Sequence, residues 1–144
     1  MPFIAWWPGQ VTGGTVSDHV GYFGDWMATA SELAGAKTPP GRDSISLVPT
    51  LAGKSSSQAQ HEFLYWEFHE GGFKQASLYQ GRWKGIRSGS PNAPIQLYDQ
   101  VADPGEKVNV ADQHPDIATR ISEYLTQART VSQDWPPEWK SKPR

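Results

Sequence analysis

Two histidine–glutamate pairs, His61-Glu62 and His69-Glu70, are the first residues here whose types suit chemistry. Imidazole and carboxylate serve both metal binding and general acid–base work. The helical zinc pattern needs two histidines four residues apart. These lie on either side of a stretch with strand periodicity, which puts them roughly 26 Å apart, too far for one ion. Nucleophilic catalysis has no firmer footing. The chain has no cysteine and no G-x-S-x-G elbow, and no serine stands in a recognisable pattern with a histidine and an acid. Neither Gly13-Gly14 nor Gly71-Gly72 matches a phosphate-cradling loop. What remains is His69, Glu70 and Lys74 around Gly71-Gly72. A histidine and a lysine facing each other beside a flexible turn can bind an anion such as a sulfate or a carboxylate. A solvated turn would carry the same polar residues without a ligand. The tryptophans and tyrosines suit either sugar stacking or the filling of a small core.

These residues need elements to position them. Leu64, Trp66 and Phe68 alternate with Phe63, Tyr65 and Glu67, which predicts a strand with one apolar and one mixed face. Gly71-Gly72 suits a two-residue turn with positive φ at both positions, setting His69 opposite Lys74 and Glu70 opposite Phe73. A second turn at Gln80-Gly81 sets Leu78 opposite Trp83. Ile95–Tyr98 supplies a fourth strand, completing an antiparallel meander. Asp103-Pro104-Gly105-Glu106 reads as a type II turn. Pro115 suits the first position of a helix. Ile117, Ile121, Tyr124, Leu125, Ala128 and Val131 form its apolar face, which the meander must cover.

The first third of the chain has another character. Phe3-Ile4-Ala5-Trp6-Trp7 is a continuous apolar run, as in a strand buried on both faces. Val20, Phe23, Met27, Ala30 and Ala34 recur at helical spacing, with Ser17 or Asp18 as a start cap and Gly35 as the terminal αL residue. Lys54–Gln60 is polar loop, and 135–144 is a proline-rich tail. The expected fold is α+β: a strand and helix of an α/β domain over residues 1–53, then over 54–144 a four-stranded antiparallel sheet packed against a C-terminal helix.

Composition narrows the function classes. Thirteen basic against fifteen acidic residues leave a formal charge of −2, which provides no broad electrostatic hold on nucleic acid. No apolar run approaches the ~18 residues of a membrane helix. The first ten residues, MPFIAWWPGQ, lack the basic n-region of a signal peptide.

Several segments resemble the C-terminal portion of formylglycine-dependent sulfatases, the arylsulfatase-like branch of the alkaline phosphatase superfamily. PFIAWWPGQV (2–11) is similar to the strand after that family's E-G-G-x-R-x-P stretch. Ser17-Asp18-His19-Val20 followed by TASELAGA (29–36) resembles the helix ending its large domain, and SISLVPTLAG (44–53) its D-G-x-S-x-x-P-x-L-x-G segment. EFHEGGFKQA (67–76) and GRWKGI (81–86) resemble a hairpin of bacterial members. QLYDQVADPGEKVN (96–109) resembles L-Y-D-L-x-x-D-P-x-E-x-x-N, and His114-Pro115 opens the last helix as in that family. The pieces occur in family order.

The resemblance implies sulfuric ester hydrolysis, with this portion shaping the substrate site. The family's core holds a cysteine or serine in C/S-x-P-x-R, oxidised to formylglycine, and a calcium site. Neither appears here; Ser141-Lys142-Pro143-Arg144 comes nearest, with its arginine one place early. The expectation is therefore a C-terminal sulfatase fragment without catalytic residues, metal or cofactor of its own, and inactive alone. By resemblance the hairpin tip overhangs the active-site mouth, making His69, Lys74 and Glu70 candidates for binding substrate. His19 is expected at a helix start, and His61 and His114 in loop and cap positions. Expected partners are a sulfated small molecule or glycan and a second copy through the exposed N-terminal strand, with neither nucleic acid nor membrane. The parent enzyme would be periplasmic or secreted. The competing expectation is a stand-alone, non-catalytic module binding a sulfated or acidic glycan.

Overall fold

The alternation that begins at Phe63 becomes a four-stranded antiparallel sheet in the computed structural model, which describes residues 3–130. Those residues fall into two units that divide between His61 and Glu62. In the second unit β1 (Phe63–Phe68), β2 (Lys74–Tyr79), β3 (Trp83–Ser88) and β4 (Gln96–Asp99) lie side by side in chain order. Helix α1 is Asp25–Leu33 and α2 is Val48–Leu51, both in the first unit, and α3 is Pro115–Gln127 in the second, with its proline in the first turn.

Cross-strand register differs by one residue from the expectation at both hairpins. Phe68 pairs with Lys74, so the first loop runs from His69 to Phe73, closed by a Gly72 N–H bond to His69 O of 3.0 Å. Gly71 and Gly72 do take positive φ, 77° and 119°. At the second hairpin Gln80 and Gly81 are both left-handed and Arg82 N–H donates to Tyr79 O, but the ladder starts at Tyr79 opposite Trp83. Leu78 consequently faces Lys84. The turn over Asp103–Glu106 also differs: Glu106, not Gly105, is left-handed, so it is not type II. That shape lets Asp103 Oδ2 accept from Lys107 N and Val108 N at 2.7 and 2.9 Å.

The sheet face under α3 is the mixed one. Tyr65, Ser77, Gly85 and Leu97 form one cross-strand row; Glu67, Gln75 and Arg87 form the next. Ile121 and Leu125 of α3 pack with Trp83, Ile95 and Leu97 into the core, flanked by Ile117, Tyr124 and Phe63. The Phe63 and Tyr124 rings stack with centroids 4.0 Å apart. The helix face is thus the one its spacing predicts; Val131 and the proline-rich tail lie outside the described residues. The purely apolar strand face is only partly covered: Leu64 is buried, but Trp66 is 45% and Phe68 55% exposed.

In the first unit the expected strand at Phe3–Trp7 does not form, because no described strand pairs with it. Ile4 is 87% and Trp6 85% exposed. Helix α1 begins later than predicted, with Gly24 as its N-cap; Ser17 instead accepts from His19 N–H and Asp18 caps nothing. Gly35 closes the helix as expected, at φ 66°, with Gly35 and Ala36 N–H bonded to Glu32 O and Ser31 O. The buried face of α1 is Asp25, Thr29 and the small Ala28, while Phe23 and Met27 are exposed. The reason is hydrogen bonding: Ala28 N–H donates to Ser44 Oγ, Ile45 N–H to Asp25 Oδ1, and Leu47 N–H to Thr29 Oγ1, all within 3.0 Å. Gln58 ties the following loop to α2, accepting from Thr50 N and Oγ1 and donating to Ser46 O. His61 then reaches Asp25 Oδ1 at 2.8 Å, so the loop belongs to this unit up to His61.

Candidate functional site

The hairpin tip separates the three residues that the sequence groups together. Lys74 and Glu70 are exposed, whereas His69 is 2% exposed, its ring 5.7 Å from that of buried Phe73. A five-residue loop explains this. Pairing stops at Phe68–Lys74, so His69 turns inward at the first loop position instead of facing Lys74 across the ladder.

Inside, His69 donates from Nε2 to Glu67 Oε1. Tyr65 Oη donates to Glu67 Oε2, and Arg129 Nε donates to Glu67 Oε1 at 2.8 Å. Gln75 Nε2 lies 3.1 Å from Tyr65 Oη and 3.4 Å from Glu67 Oε2. Strand alternation places Tyr65, Glu67 and their neighbour Gln75 on the helix-facing side, and Arg129 arrives just beyond the end of α3.

Electrostatics follow from that donor set. Burial on its own would raise the Glu67 pKa, but hydrogen bonds from Tyr65, His69 and Gln75, with the Arg129 charge, outweigh it and hold Glu67 below the ordinary glutamate range. Burial, then the bond to Glu67, pushes the Tyr65 phenol up, so it stays protonated at neutral pH. Glu67 is thus an ionised acceptor surrounded by donors. The cluster ties the tip to the strand end, while Lys74 and Glu70 stay exposed. The sequence missed Glu67, Tyr65, Gln75 and Arg129. The one signal for Glu67 was a carboxylate at the end of an otherwise apolar strand.

Other chemistry is sparse. Among the described residues no group of three or more histidine, aspartate or glutamate side chains could hold a metal ion. No described helix is long and apolar enough to cross a membrane. His19 precedes α1, His61 caps a loop onto Asp25, and His114 is the N-cap of α3 against the Trp83 ring. On the open sheet face Trp66, Ala76, Leu78, Lys84 and Gln100 line a shallow trough of about 340 Å³.

Known proteins agree with this architecture. Residues 1–131 match the family described as N-sulphoglucosamine sulphohydrolase, C-terminal. An N-acetylgalactosamine-6-O-sulfatase of Bacteroides thetaiotaomicron is 28% identical over 90% of this chain and 27% of its own length. The human N-acetylgalactosamine-6-sulfatase is 46% identical over 35% of this chain and 10% of its own length. A solved sulfatase structure from a glycosaminoglycan-metabolism locus of B. thetaiotaomicron superposes with a TM-score of 0.54 at 28% identity, covering 72% of this chain and 24% of that one. The chain therefore spans about a quarter or less of each of these relatives. With a family match along nearly all its length and a sheet-and-helix fold shared with solved sulfatases, the chain belongs to the sulfatase C-terminal family of the alkaline phosphatase superfamily.

Proposed function

We propose that this chain acts as the C-terminal portion of a sulfuric ester hydrolase, shaping the substrate entrance without supplying the reacting groups. The observation that carries the reading is the hairpin tip. A half-buried, ionised Glu67 anchors His69, so that the tip presents Lys74 and Glu70 outward on a fixed loop. Lys74 contributes the positive charge for a sulfate or carboxylate, and Glu70 accepts hydrogen bonds from sugar hydroxyls. His69 positions the loop from within. The relatives' names support a sulfated amino sugar or glycan as the substrate class.

The chemistry of ester cleavage is assigned elsewhere. The family resemblance calls for formylglycine and calcium, and the residues here do not fit them. The sequence has no cysteine and no S-x-P-x-R, and no described carboxylate cluster suits a metal.

The test begins by translating the DNA in frame upstream of the Met1 codon. The expected finding is an open frame encoding C/S-x-P-x-R. In that longer protein Lys74→Ala should raise KM for a sulfated sugar several-fold and leave kcat near its original value. A stop codon directly upstream, with glycan binding by the purified chain, would sink the hydrolase reading and favour a non-catalytic binding module. An unchanged KM in Lys74→Ala would remove the tip from the substrate site.

A further inference from the structure

We propose that one internal water molecule is bound between β2, β3 and α3 by Gln75, Ser77 and Arg87. Gln75 and Arg87 are cross-strand partners, and Ser77 follows two residues along on the same face. All three are at least nine-tenths buried. Arg87 Nη2 donates to Ser122 Oγ of α3. Its Nε, like Ser77 Oγ and Gln75 Oε1, has no hydrogen-bond partner. Buried polar groups in folded proteins are almost always satisfied, and three unsatisfied ones in a single patch point to a shared ligand.

The orientation of Gln75 decides what that ligand is. Its Nε2 faces three acceptors, Tyr65 Oη, Glu67 Oε2 and the Leu125 carbonyl. Flipping the amide would set Oε1 against those oxygens, so the carbonyl is the end turned away from them. The patch therefore offers one lone acceptor, one lone donor from a guanidinium, and a hydroxyl able to act as either. An anion would be repelled by Gln75 Oε1 and by Glu67, next in the same row. A cation would be repelled by Arg87, whose only described bond is to a neutral hydroxyl. Water donates to Gln75 Oε1, accepts from Arg87 Nε and bonds to Ser77, the roughly three bonds usual for buried water. It completes a polar seam from His69 through Glu67, Gln75 and Arg87 to Ser122, joining the hairpin tip to α3.

A crystal structure of the full chain, with crystals soaked in bromide, tests this directly. A single peak within hydrogen-bond distance of Arg87 Nε and Gln75 Oε1, lacking anomalous signal, is the expected result. A bromide peak there overturns the proposal, as does a direct bond from Arg87 Nε to Gln75 Oε1. In solution, the Arg87 Nε–H proton should show a cross-peak at the water frequency in rotating-frame exchange spectra. Gln75→Met should abolish or strongly weaken it; if that variant does not fold, Ser77→Ala should weaken it. An undiminished cross-peak in a folded variant shows that these side chains do not hold the water.

Discussion

Gly85 of β3 and Ile121 of α3 approach so closely that a Cβ on Gly85 would lie 2.5 Å from Ile121 Cγ2 and 3.2 Å from Cδ1. The helix seats on a gap in the Tyr65–Ser77–Gly85–Leu97 row, and its depth is set by the missing side chain. Gly85→Ala should destabilise the sheet unit by about 1–3 kcal/mol through overpacking. Most of that loss should disappear in an Ile121→Ala background, where the obstructing atoms are gone. Urea unfolding of the four variants gives the coupling. Additive losses would mean that the helix does not rest there.

Glu67→Gln keeps the shape of the side chain and removes the charge that receives His69, Arg129, Tyr65 and Gln75. Hydrogen bonds to a charged acceptor contribute more than neutral ones, so a loss of about 2 kcal/mol is expected. Amide exchange at residues 69–73 should accelerate more than at β3 or β4. Equal acceleration throughout the sheet would argue that Glu67 is no special anchor of the tip.

Arg82, by its hydrogen bonds, followed by the backbone amides of Val101 and Ala102, lowers the Asp99 pKa from 3.8 to about 2. A carboxyl whose folded pKa lies below its unfolded value stabilises fully above the unfolded value and loses that contribution as pH falls. Glu67 acts in the same direction. Stability should be level from neutral pH down to about 5 and fall steadily between about 4 and 2. Asp99→Asn should flatten part of that slope in urea midpoints measured against pH. A slope identical to that of the unmodified chain would rule out Asp99 as a contributor.

Asp25, fully buried, accepts from Tyr22 N, Ile45 N and His61 Nε2, each within 3.0 Å. Asp25→Ala orphans all three donors and should cost the first unit roughly 3 kcal/mol or more. Hydrogen exchange should show residues 22–47 losing protection while β1–β4 keep theirs. Loss of protection in both units together would show that they unfold as one.

Phe3, Ile4 and Trp6 are exposed next to one another, an apolar run of the kind that drives association. Sedimentation of the purified chain should show mass rising with concentration. Trp6→Lys should shift that rise to higher concentration without changing the urea midpoint. A monomer at every concentration would remove self-association through this segment.

Spacing alone determined a good part of the fold. Ile117, Ile121, Tyr124, Leu125 and Ala128 mark the buried side of α3, because a helix returns to the same face every three or four residues. The alternation in β1, the left-handed glycines at 71 and 72, and the cap at Gly35 were legible for equally local reasons. The register was not. Loops of five and three residues instead of two shift each pairing by one, and a one-residue shift carries every side chain to the other face. Only the tertiary structure decided that His69 turns inward to Glu67, apart from Lys74, and that the mixed sheet face is the one α3 covers. It also decided that α1 buries Asp25 and Thr29 while Phe23 lies open. The partners concerned are remote in sequence: Ser44 lies sixteen residues from Ala28, and Arg129 sixty-two from Glu67. Hydrophobic periodicity measures an element's own pattern, and buried hydrogen bonds between distant segments leave no trace in it.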